Sequence, residues 1–262
     1  MSGYNLHRYR KHLGTVSVLI ALIGLAGWRC EVSIHDLATG ISKGLALLDL
    51  FFPPDWQSLP RMIEPAFVTV LLSLIATPIG AVLSIIFGLA AARNMSPPWL
   101  RLSTRTVIAL ERGLPEIVIL LVLIAALGMG PLAGVMALAI GSIGMLGKLV
   151  GDAIEEIDLH TVESVESVGA TRSQVIRYAV LPQVLPSLVA NSMFRFEVNI
   201  RASVLLGAVG AGGIGYELSV AMSQLEYKKA MIAALVSFLL VFVAERCSDF
   251  LRTKLFTGGF LQ

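Results

Sequence analysis

Residues 62–92 form an apolar stretch in which Glu64 is the only ionisable residue, and this stretch constrains the fold more than any other feature. About 20 apolar residues are enough for a helix to cross the hydrocarbon core of a bilayer. Five further apolar stretches predict spans: residues 13–28, 114–129, 131–150, 186–206 and 230–244. The span at 114–129 is short, and we expect its helix to begin near Val107. The sequence therefore predicts an all-α membrane protein with six transmembrane helices.

Composition supports a protein that lies in a membrane. The chain is 56% hydrophobic and 15% charged, whereas a soluble domain carries about a quarter charged residues. The basic cluster at residues 8–11 is too short for a nucleic-acid patch and indicates topology control or contact with anionic lipid. The four histidines are scattered without metal-ligand spacing, so no metal site is predicted.

The placement of Lys and Arg predicts the orientation of the chain. Cytoplasmic loops of membrane proteins carry an excess of these residues. With both termini in the cytoplasm, twelve Lys and Arg fall in inside segments and five in outside segments. The twelve are Arg8, Arg10, Lys11, Arg93, Arg101, Arg105, Lys148, Arg172, Arg177, Arg246, Arg252 and Lys254.

A polar hairpin at about residues 151–182 separates the fourth and fifth predicted spans and falls on the cytoplasmic side. Glu163 and Glu166 are expected at the start of a helix, where negative charge suits the helix dipole. Gly169 allows a left-handed turn, and Thr171 or Ser173 can cap a second helix. Leu181-Pro182, followed by Pro186, is expected to end that helix before the chain re-enters the membrane. The hairpin is longer than a connector requires, which favours a docking surface over a solvated loop.

The hairpin resembles the "EAA" coupling loop of ABC importer permeases, which reads Glu-Ala-Ala, three residues, Gly, nine residues, Ile-x-Leu-Pro. Glu163, Gly169, Leu181 and Pro182 match this pattern at its spacing. Ser164 and Val165 replace the two alanines, and Ala179 replaces the isoleucine.

From about residue 48 onward the chain is similar to phosphonate-type ABC importer permeases, a group that includes phosphite and hypophosphite importers. The resemblance rests on Phe51-Phe52-Pro53-Pro54-Asp55, Leu181-Pro182-Gln183-Val184-Leu185-Pro186, Phe194-Arg195-Phe196-Glu197-x-Asn199-x-Arg201, and the glycine-rich segment 207–215. Methionine-importer permeases carry a similar glycine run, so the Phe-Arg-Phe-Glu block favours the phosphonate type.

The resemblance implies a type I ABC importer fold, similar to that of methionine permeases, and a homodimer in the bacterial inner membrane. It also implies two copies of a separate ATPase that binds ATP and Mg, and a periplasmic binding protein that delivers the anion. The ATPase-coupling residues would be Glu163, Glu166, Gly169, Leu181 and Pro182. The sequence contains no Gly-x-x-x-x-Gly-Lys-Ser/Thr phosphate loop, so no catalytic residue and no cofactor on this chain are predicted.

We expect three segments. Residues 1–61 hold the first span and an external segment, residues 62–250 hold the permease core, and residues 251–262 form a cytoplasmic tail.

Ionisable residues at membrane depth are candidates for function because their burial is costly. Glu111, Arg112 and Glu116 open the third span and are interpreted as intramembrane charge pairs. A second group interrupts the fifth span and comprises Arg195, Glu197, Asn199 and Arg201. Glu197 and Arg201 stand at i and i+4 in the favourable order, and an Arg fork suits the oxygens of a phosphonate. Structural pairing and a role in the translocation pathway both stay open, with Glu197 pairing either with Arg201 or with Arg112.

Gly210, Gly212 and Gly215 have the Gly-x-Gly-x-x-Gly spacing of a dinucleotide-binding motif. That motif follows a β-strand, and no strand is predicted before these glycines, so a dinucleotide site is rejected. Small residues let membrane helices approach closely or let a helix break. We therefore interpret Gly210, Gly212 and Gly213 as either an external gate or a packing face.

Two alternatives come from other classes of transporter. An ABC permease for another solute, such as methionine, would share the hairpin. An ion-coupled secondary carrier is less favoured, because such carriers usually show inverted repeats and the sequence has no internal repeat.

Overall fold

The computed structural model describes residues 3–31 and 33–257, which fall into two compact units with their sequence boundary between Pro53 and Pro54. The first unit contains α1 (Gly3–Arg29) and α2 (Ile34–Phe51). The sequence prediction includes α1 and omits α2. Apolar residues of α2 recur at 34, 37, 38, 41, 45 and 48, which is the spacing of one helix face.

The second unit is a bundle of helices whose ends are set largely by proline and glycine. Its helices are α3 (Leu59–Ala91), α4 (Pro98–Gly113), α5 (Glu116–Leu127), α6 (Pro131–Glu155), α7 (Leu159–Ser167), α8 (Arg172–Val175), α9 (Leu181–Leu206), α10 (Ile214–Ser223) and α11 (Tyr227–Thr257). Pro98 and Pro131 occupy first turns, where a missing N–H costs no helical hydrogen bond. Gly128, at φ +88°, ends α5.

Helices α3 and α6 form the centre of the bundle because small residues let their backbones approach closely. A Cβ on Gly80 would lie 3.1 Å from the carbonyl oxygen of Ala139 and would overlap the side chain of Ser142. Gly88 is covered in the same way by Val150. Close approach of this kind gives van der Waals contact between membrane helices.

Apolar side chains fill both ends of this centre. One cluster joins α3, α5, α6 and the segment after α9, and includes Leu72, Leu120, Leu138 and Ala211. A second cluster joins α3 and α6 to the polar hairpin through Val150, Ile154, Val162, Val175 and Ala179. The hairpin is therefore packed onto the bundle.

Within the described residues, three helical segments are long and apolar enough to cross a membrane: Trp56–Ala91, Pro131–Glu155 and Tyr227–Lys254. A fourth span exists if Arg172–Ala211 and Ile214–Ser223, which are bent by 52°, count as one. The expectation that one continuous helix of the third span begins near Val107 is wrong. Val107 belongs to α4, which ends at Gly113, and α5 begins only at Glu116. The helix is interrupted because Leu114 precedes Pro115, and helical backbone is disfavoured for a residue that precedes proline.

Candidate functional site

The hairpin between α6 and α9 consists of two short helices, α7 and α8, with an exposed polar surface. A glycine in the left-handed conformation lies in the turn between them. Asp158 caps α7, and its Oδ1 accepts a hydrogen bond from the His160 N–H at 3.0 Å. Gly169 adopts φ +80°, which confirms the predicted left-handed turn. The adjoining Val168 is 82% exposed. An exposed apolar side chain at the tip of a well-packed hairpin is suited to contact with another surface.

Two predictions about the hairpin helices need correction. Glu163 and Glu166 do not start a helix, because Asp158 caps α7 and Glu166 lies in its last turn. Both carboxylates are exposed, and Glu163 lies 3.9 Å from the His160 imidazole.

Leu181-Pro182 does not end a helix either. The chain runs from α8 through a π-helical turn, Ile176–Val180, directly into α9. Pro182 occupies the first turn of α9 and Pro186 lies inside it. Proline is tolerated in a first turn, where its N–H would lack a partner anyway. The second helix of the hairpin, α8, and the following α9 are thus one continuous helical segment.

Thr171 caps the helix that leads into this segment, as predicted. The Oε1 of Gln174 accepts a hydrogen bond from the Thr171 backbone N–H at 2.7 Å. The next residue, Arg172, reaches back to the bundle and donates to the carbonyl oxygen of Met95. Gln183 Oε1 accepts from the Asp158 N–H at 2.9 Å, which ties the start of the hairpin to α9.

Glu155, at the end of α6, holds the hairpin end of the bundle together. Its Oε1 lies 2.5 Å from Nη2 of Arg105 and accepts the Arg93 backbone N–H at 2.7 Å. The Arg93 side chain lies 3.5 Å from the other carboxylate oxygen, and Asn94 donates to the Ile154 carbonyl at 2.6 Å. The α3–α4 loop, α4 and α6 therefore meet at one carboxylate, which sequence spacing alone does not reveal.

A second polar group lies inside the bundle and centres on Arg195. This side chain is 5% exposed, and its Nη2 donates to Glu116 at 2.6 Å. Its Nε donates to Ser142 Oγ at 3.0 Å. Arg195 therefore joins α9 to α5 and α6, and Glu116 is the partner of Arg195 rather than of a neighbour in its own segment.

Asn199 extends this group towards α3. Its Nδ2 donates to Thr77 Oγ1 at 2.9 Å and to Ser142 Oγ at 3.2 Å. Both hydroxyls donate to helix carbonyls one turn back, Thr77 to Ser73 and Ser142 to Leu138, so both must accept from Asn199. The Oδ1 of Asn199 is buried and has no hydrogen-bond partner within the described part of the chain.

Glu197 and Arg201 form the ion pair that their spacing predicts, with 3.0 Å between Arg201 Nη2 and Glu197 Oε1. The alternative partner for Glu197, Arg112, is not used. The Arg201 side chain is 59% exposed and that of Glu197 is 11% exposed. Arg201 is thus the accessible guanidinium of this group, whereas Arg195 is enclosed.

Glu111 and Arg112 lie where α4 ends. The carboxylate of Glu111 presses against Gly144 of α6, where a Cβ would overlap Oε2. Oε2 is buried without a hydrogen-bond partner among the described residues. Arg112 is exposed and forms none of the ion pairs in this part of the chain.

The glycine segment after α9 breaks the helix and also packs closely against its neighbours. Gly210, Gly212 and Gly213 adopt φ values of +113°, +88° and +74°, which L side chains rarely occupy. The Gly210 carbonyl accepts from the Gly130 N–H at 3.0 Å. Thr69 of α3 accepts the Ile214 N–H at 2.9 Å, which fixes the start of α10.

Sequence analysis missed the residues that complete these groups: Thr69, Thr77, Ser142 and Glu155. Three are short hydroxyl side chains in apolar helices, which resemble ordinary packing residues. The signal that could have found them is the occurrence of small polar residues within apolar helices. The described residues contain no group of three or more His, Cys, Asp or Glu that could hold a metal ion.

A bundle of apolar helices with a polar hairpin packed onto one end defines the class as a polytopic helical membrane protein. The chain belongs to the family of binding-protein-dependent transport system inner membrane components, whose model matches residues 84–256. It is therefore an inner-membrane permease component of the ABC transporter type.

Two relatives illustrate the sequence similarity. The phosphate-import permease protein PhnE of Mycolicibacterium smegmatis is 43% identical over 244 residues, which cover 92% of this chain and 46% of the relative. This chain thus spans about half the length of that relative. The phosphite transport system permease protein PtxC of Stutzerimonas stutzeri is 35% identical over 256 residues, which cover 96% of this chain and 92% of the relative.

Solved structures confirm the fold. A chain of the MetNI methionine ABC transporter in an inward-facing conformation matches with a TM-score of 0.65 and 21% identity, covering 76% of this chain and 97% of that chain. An amino acid ABC transporter matches with a TM-score of 0.60 and 22% identity, covering 76% and 98%. The methionine-permease-like fold expected from the sequence is thereby confirmed.

Proposed function

We propose that this chain forms the translocation pathway of an ABC importer for phosphonate or a related reduced phosphorus anion, phosphite or hypophosphite. Two copies of the chain assemble as a homodimer. A separate ATPase, also in two copies, binds ATP and Mg and supplies the energy, and a periplasmic binding protein delivers the anion. The chain itself catalyses no reaction.

One observation carries the proposal: similarity to PhnE and PtxC extends over more than nine-tenths of this chain, and both names specify a phosphorus oxyanion. Similarity confined to the hairpin would support only an ABC permease of unknown solute.

The proposed topology has six spans and both termini in the cytoplasm. Residues 1–61 supply the first span and an external segment, residues 62–250 the core, and residues 251–262 the tail. In this topology α5 is a half-span whose partner is the end of α4. The hairpin and the Glu155 cluster then lie on the cytoplasmic side.

We propose that the hairpin transmits movement of the ATPase. Glu163 and Glu166 lie on its exposed side, and Gly169 shapes its tip. Leu181 and Pro182 do not stop a helix but continue it into α9. Displacement of the hairpin would therefore be carried directly into a span.

We assign different roles to the charged residues of α9. Arg201 with Glu197 is proposed to face the pathway, because Arg201 is accessible. Arg195, Asn199 and Glu116 are proposed to hold the spans together, because their bonds are internal. Gly210, Gly212 and Gly213 are proposed to form an external gate, at the helix break on the opposite end of α9 from the hairpin.

Phosphate is a second candidate solute, favoured by the name of the mycobacterial relative. Methionine is a third, because solved methionine-transporter chains share the fold. An ion-coupled carrier has no observation in its favour beyond its membrane setting.

Affinity purification of the tagged full chain from its host, followed by reconstitution into liposomes, tests the proposal. We expect an ATPase subunit with a phosphate loop to co-purify and uptake to require ATP. The cognate binding protein is then titrated with phosphonate, phosphite, hypophosphite, phosphate and methionine. Preference for methionine, or uptake driven by an ion gradient without ATP, would contradict the proposal.

A further inference from the structure

A small cavity opens between the end of α3, the second half of α4 and the end of α6, beside the junction that Arg105 forms with Glu155. Its volume is about 210 Å³. Arg105, Arg112, Lys148 and Asp152 line it, beside the apolar walls of Ala91 and Ile108. The cavity lies within a single copy of the chain.

The charged residues around the cavity differ in whether they form ion pairs. Arg105 is engaged by Glu155 at 2.5 Å and donates from Nε to the Ala91 carbonyl at 2.9 Å. Arg112 and Lys148 form no ion pair in the part of the chain that the structure describes. Asp152 is the one acidic residue of the lining. Arg112 and Lys148 carry two positive charges and Asp152 carries one negative charge, so these three side chains have a net charge of one positive unit.

Asp152 and Lys148 stand four residues apart on α6, yet no salt bridge joins them in the described structure. Glu111, next to Arg112 in sequence, directs its carboxylate against Gly144 instead of into the cavity lining. Neither carboxylate thus neutralises the two free cations by direct contact.

We propose that this cavity binds an anion of the phosphate class through Arg112 and Lys148. A guanidinium offers a planar fork of donors and an ammonium a compact charge, and together they suit an oxyanion with several oxygens. Arg112 and Lys148 are exposed, and the apolar wall on one side of them strengthens the attraction, because a low-dielectric wall focuses the field. Ala91 and Ile108, both buried, supply such walls.

The anion has two possible sources with the same chemistry. One is the headgroup of an acidic phospholipid, for which basic pockets between helices on the cytoplasmic side are suited. The other is a soluble oxyanion, which is the transported solute if the proposed function holds. The choice of phosphorus over carboxylate for the soluble source rests on that proposed function, whereas the headgroup source does not.

Binding is measured on the assembled full-length transporter, without a transport step. Phosphate labelled with ³²P is the soluble probe, used by equilibrium dialysis in nanodiscs of uncharged phosphatidylcholine. Phosphatidylglycerol retained after extraction is the lipid probe, identified by native mass spectrometry. Because neither measurement needs import, failure of the proposed function and failure of this site give different results.

Arg112→Gln and Lys148→Gln should each weaken binding about tenfold, since each removes a charged hydrogen-bond donor. Asp152→Asn should tighten binding about two- to fivefold, because it removes an exposed like charge. Arg101→Gln is the matched control: Arg101 lies on α4, as Arg112 does, but outside the cavity lining. This variant should leave binding unchanged. Arg112→Lys and Lys148→Arg keep the positive charge and should retain binding. They serve as the test variants if a Gln variant fails to assemble.

Loss of phosphate binding in both Gln variants supports a soluble-anion site, and loss of retained phosphatidylglycerol in both supports a headgroup site. The proposal is overturned if the wild-type transporter binds neither probe. It is also overturned if the cavity variants bind as tightly as the Arg101→Gln control, or if Asp152→Asn weakens binding.

Discussion

Glu155 Oε1 lies 2.5 Å from Nη2 of Arg105, and the same oxygen accepts the backbone N–H of Arg93. One carboxylate thus joins the end of α6 to α4 and to the α3–α4 loop. Asp158, the cap of α7, follows three residues later. The junction lies at the start of the hairpin, at the opposite end of it from the continuous passage into α9.

Replacement of Glu155 by Gln should lower transport severalfold while ATP hydrolysis continues. The change keeps the shape of the side chain but removes its charge from two guanidinium groups. Glu155 is 22% exposed, so the loss of stability should be about 1–2 kcal/mol, below that of a fully buried pair. The measurement is the ratio of solute imported to ATP hydrolysed in proteoliposomes.

Glu156→Gln is the matched control for that experiment, because Glu156 is the adjacent exposed acid and forms no salt bridge in the described structure. An equal fall in the ratio of solute imported to ATP hydrolysed for both variants would show that coupling depends on the negative charge of this region and not on the contacts of Glu155.

Gly169→Ala should weaken association with the ATPase. Nothing lies within 4 Å of a Cβ at this position, so the effect comes only from the φ of +80°, which costs an L residue about 1–2 kcal/mol. The measurement is the amount of ATPase that co-purifies. Gly113→Ala also meets open space and has no unusual φ, so it should assemble normally. Full assembly of Gly169→Ala would contradict a shaped hairpin tip.

Arg195→Met should destabilise the bundle by about 3 kcal/mol, at the lower end for a broken buried pair because Arg195 is 5% exposed but Glu116 is 27% exposed; the change leaves Glu116 and Ser142 without their shared partner. Thermal unfolding in detergent is the measurement. Arg201→Gln should change stability by less than about 1 kcal/mol, because the Arg201 side chain is 59% exposed, and should instead reduce transport. Normal transport by a folded Arg201→Gln variant would remove Arg201 from the proposed pathway.

Gly215→Ala should prevent proper packing of α10 on α9. An added Cβ would overlap the Val204 carbonyl oxygen and lie 3.0 Å from the Ala208 nitrogen, and backbone atoms cannot turn aside as a flexible side chain can. The assembled yield after extraction measures the effect. Ser219→Ala, one turn later in the same helix, should assemble as the wild type does; a wild-type yield for Gly215→Ala would count against this contact.

Features determined by nearby residues could be predicted from the sequence. The left-handed turn at Gly169 and the pair Glu197–Arg201 depend only on local backbone geometry and spacing. The apolar stretches likewise predicted α3, α6 and α11, since hydrophobicity over 20 residues is a strong signal.

Features that depend on tertiary contact could not be predicted in this way. Arg195 and Glu116 are 79 positions apart, and nothing in either local pattern selects the other. The role of Pro182 was misjudged for a different reason. Proline is frequent both just beyond a helix and in its first turn, and the sequence around Leu181 fits both positions.

The unbroken passage from α8 through the π-helical turn into α9 has a mechanical consequence. From Leu181 to Leu206 the helix has 26 residues, or roughly 39 Å at about 1.5 Å per residue, with the hairpin at one end and the glycine break at the other. A tilt imposed at the hairpin would therefore be carried along α9 to the glycine break, and Pro186, the proline inside this helix, is the position at which the helix could bend and reduce that movement.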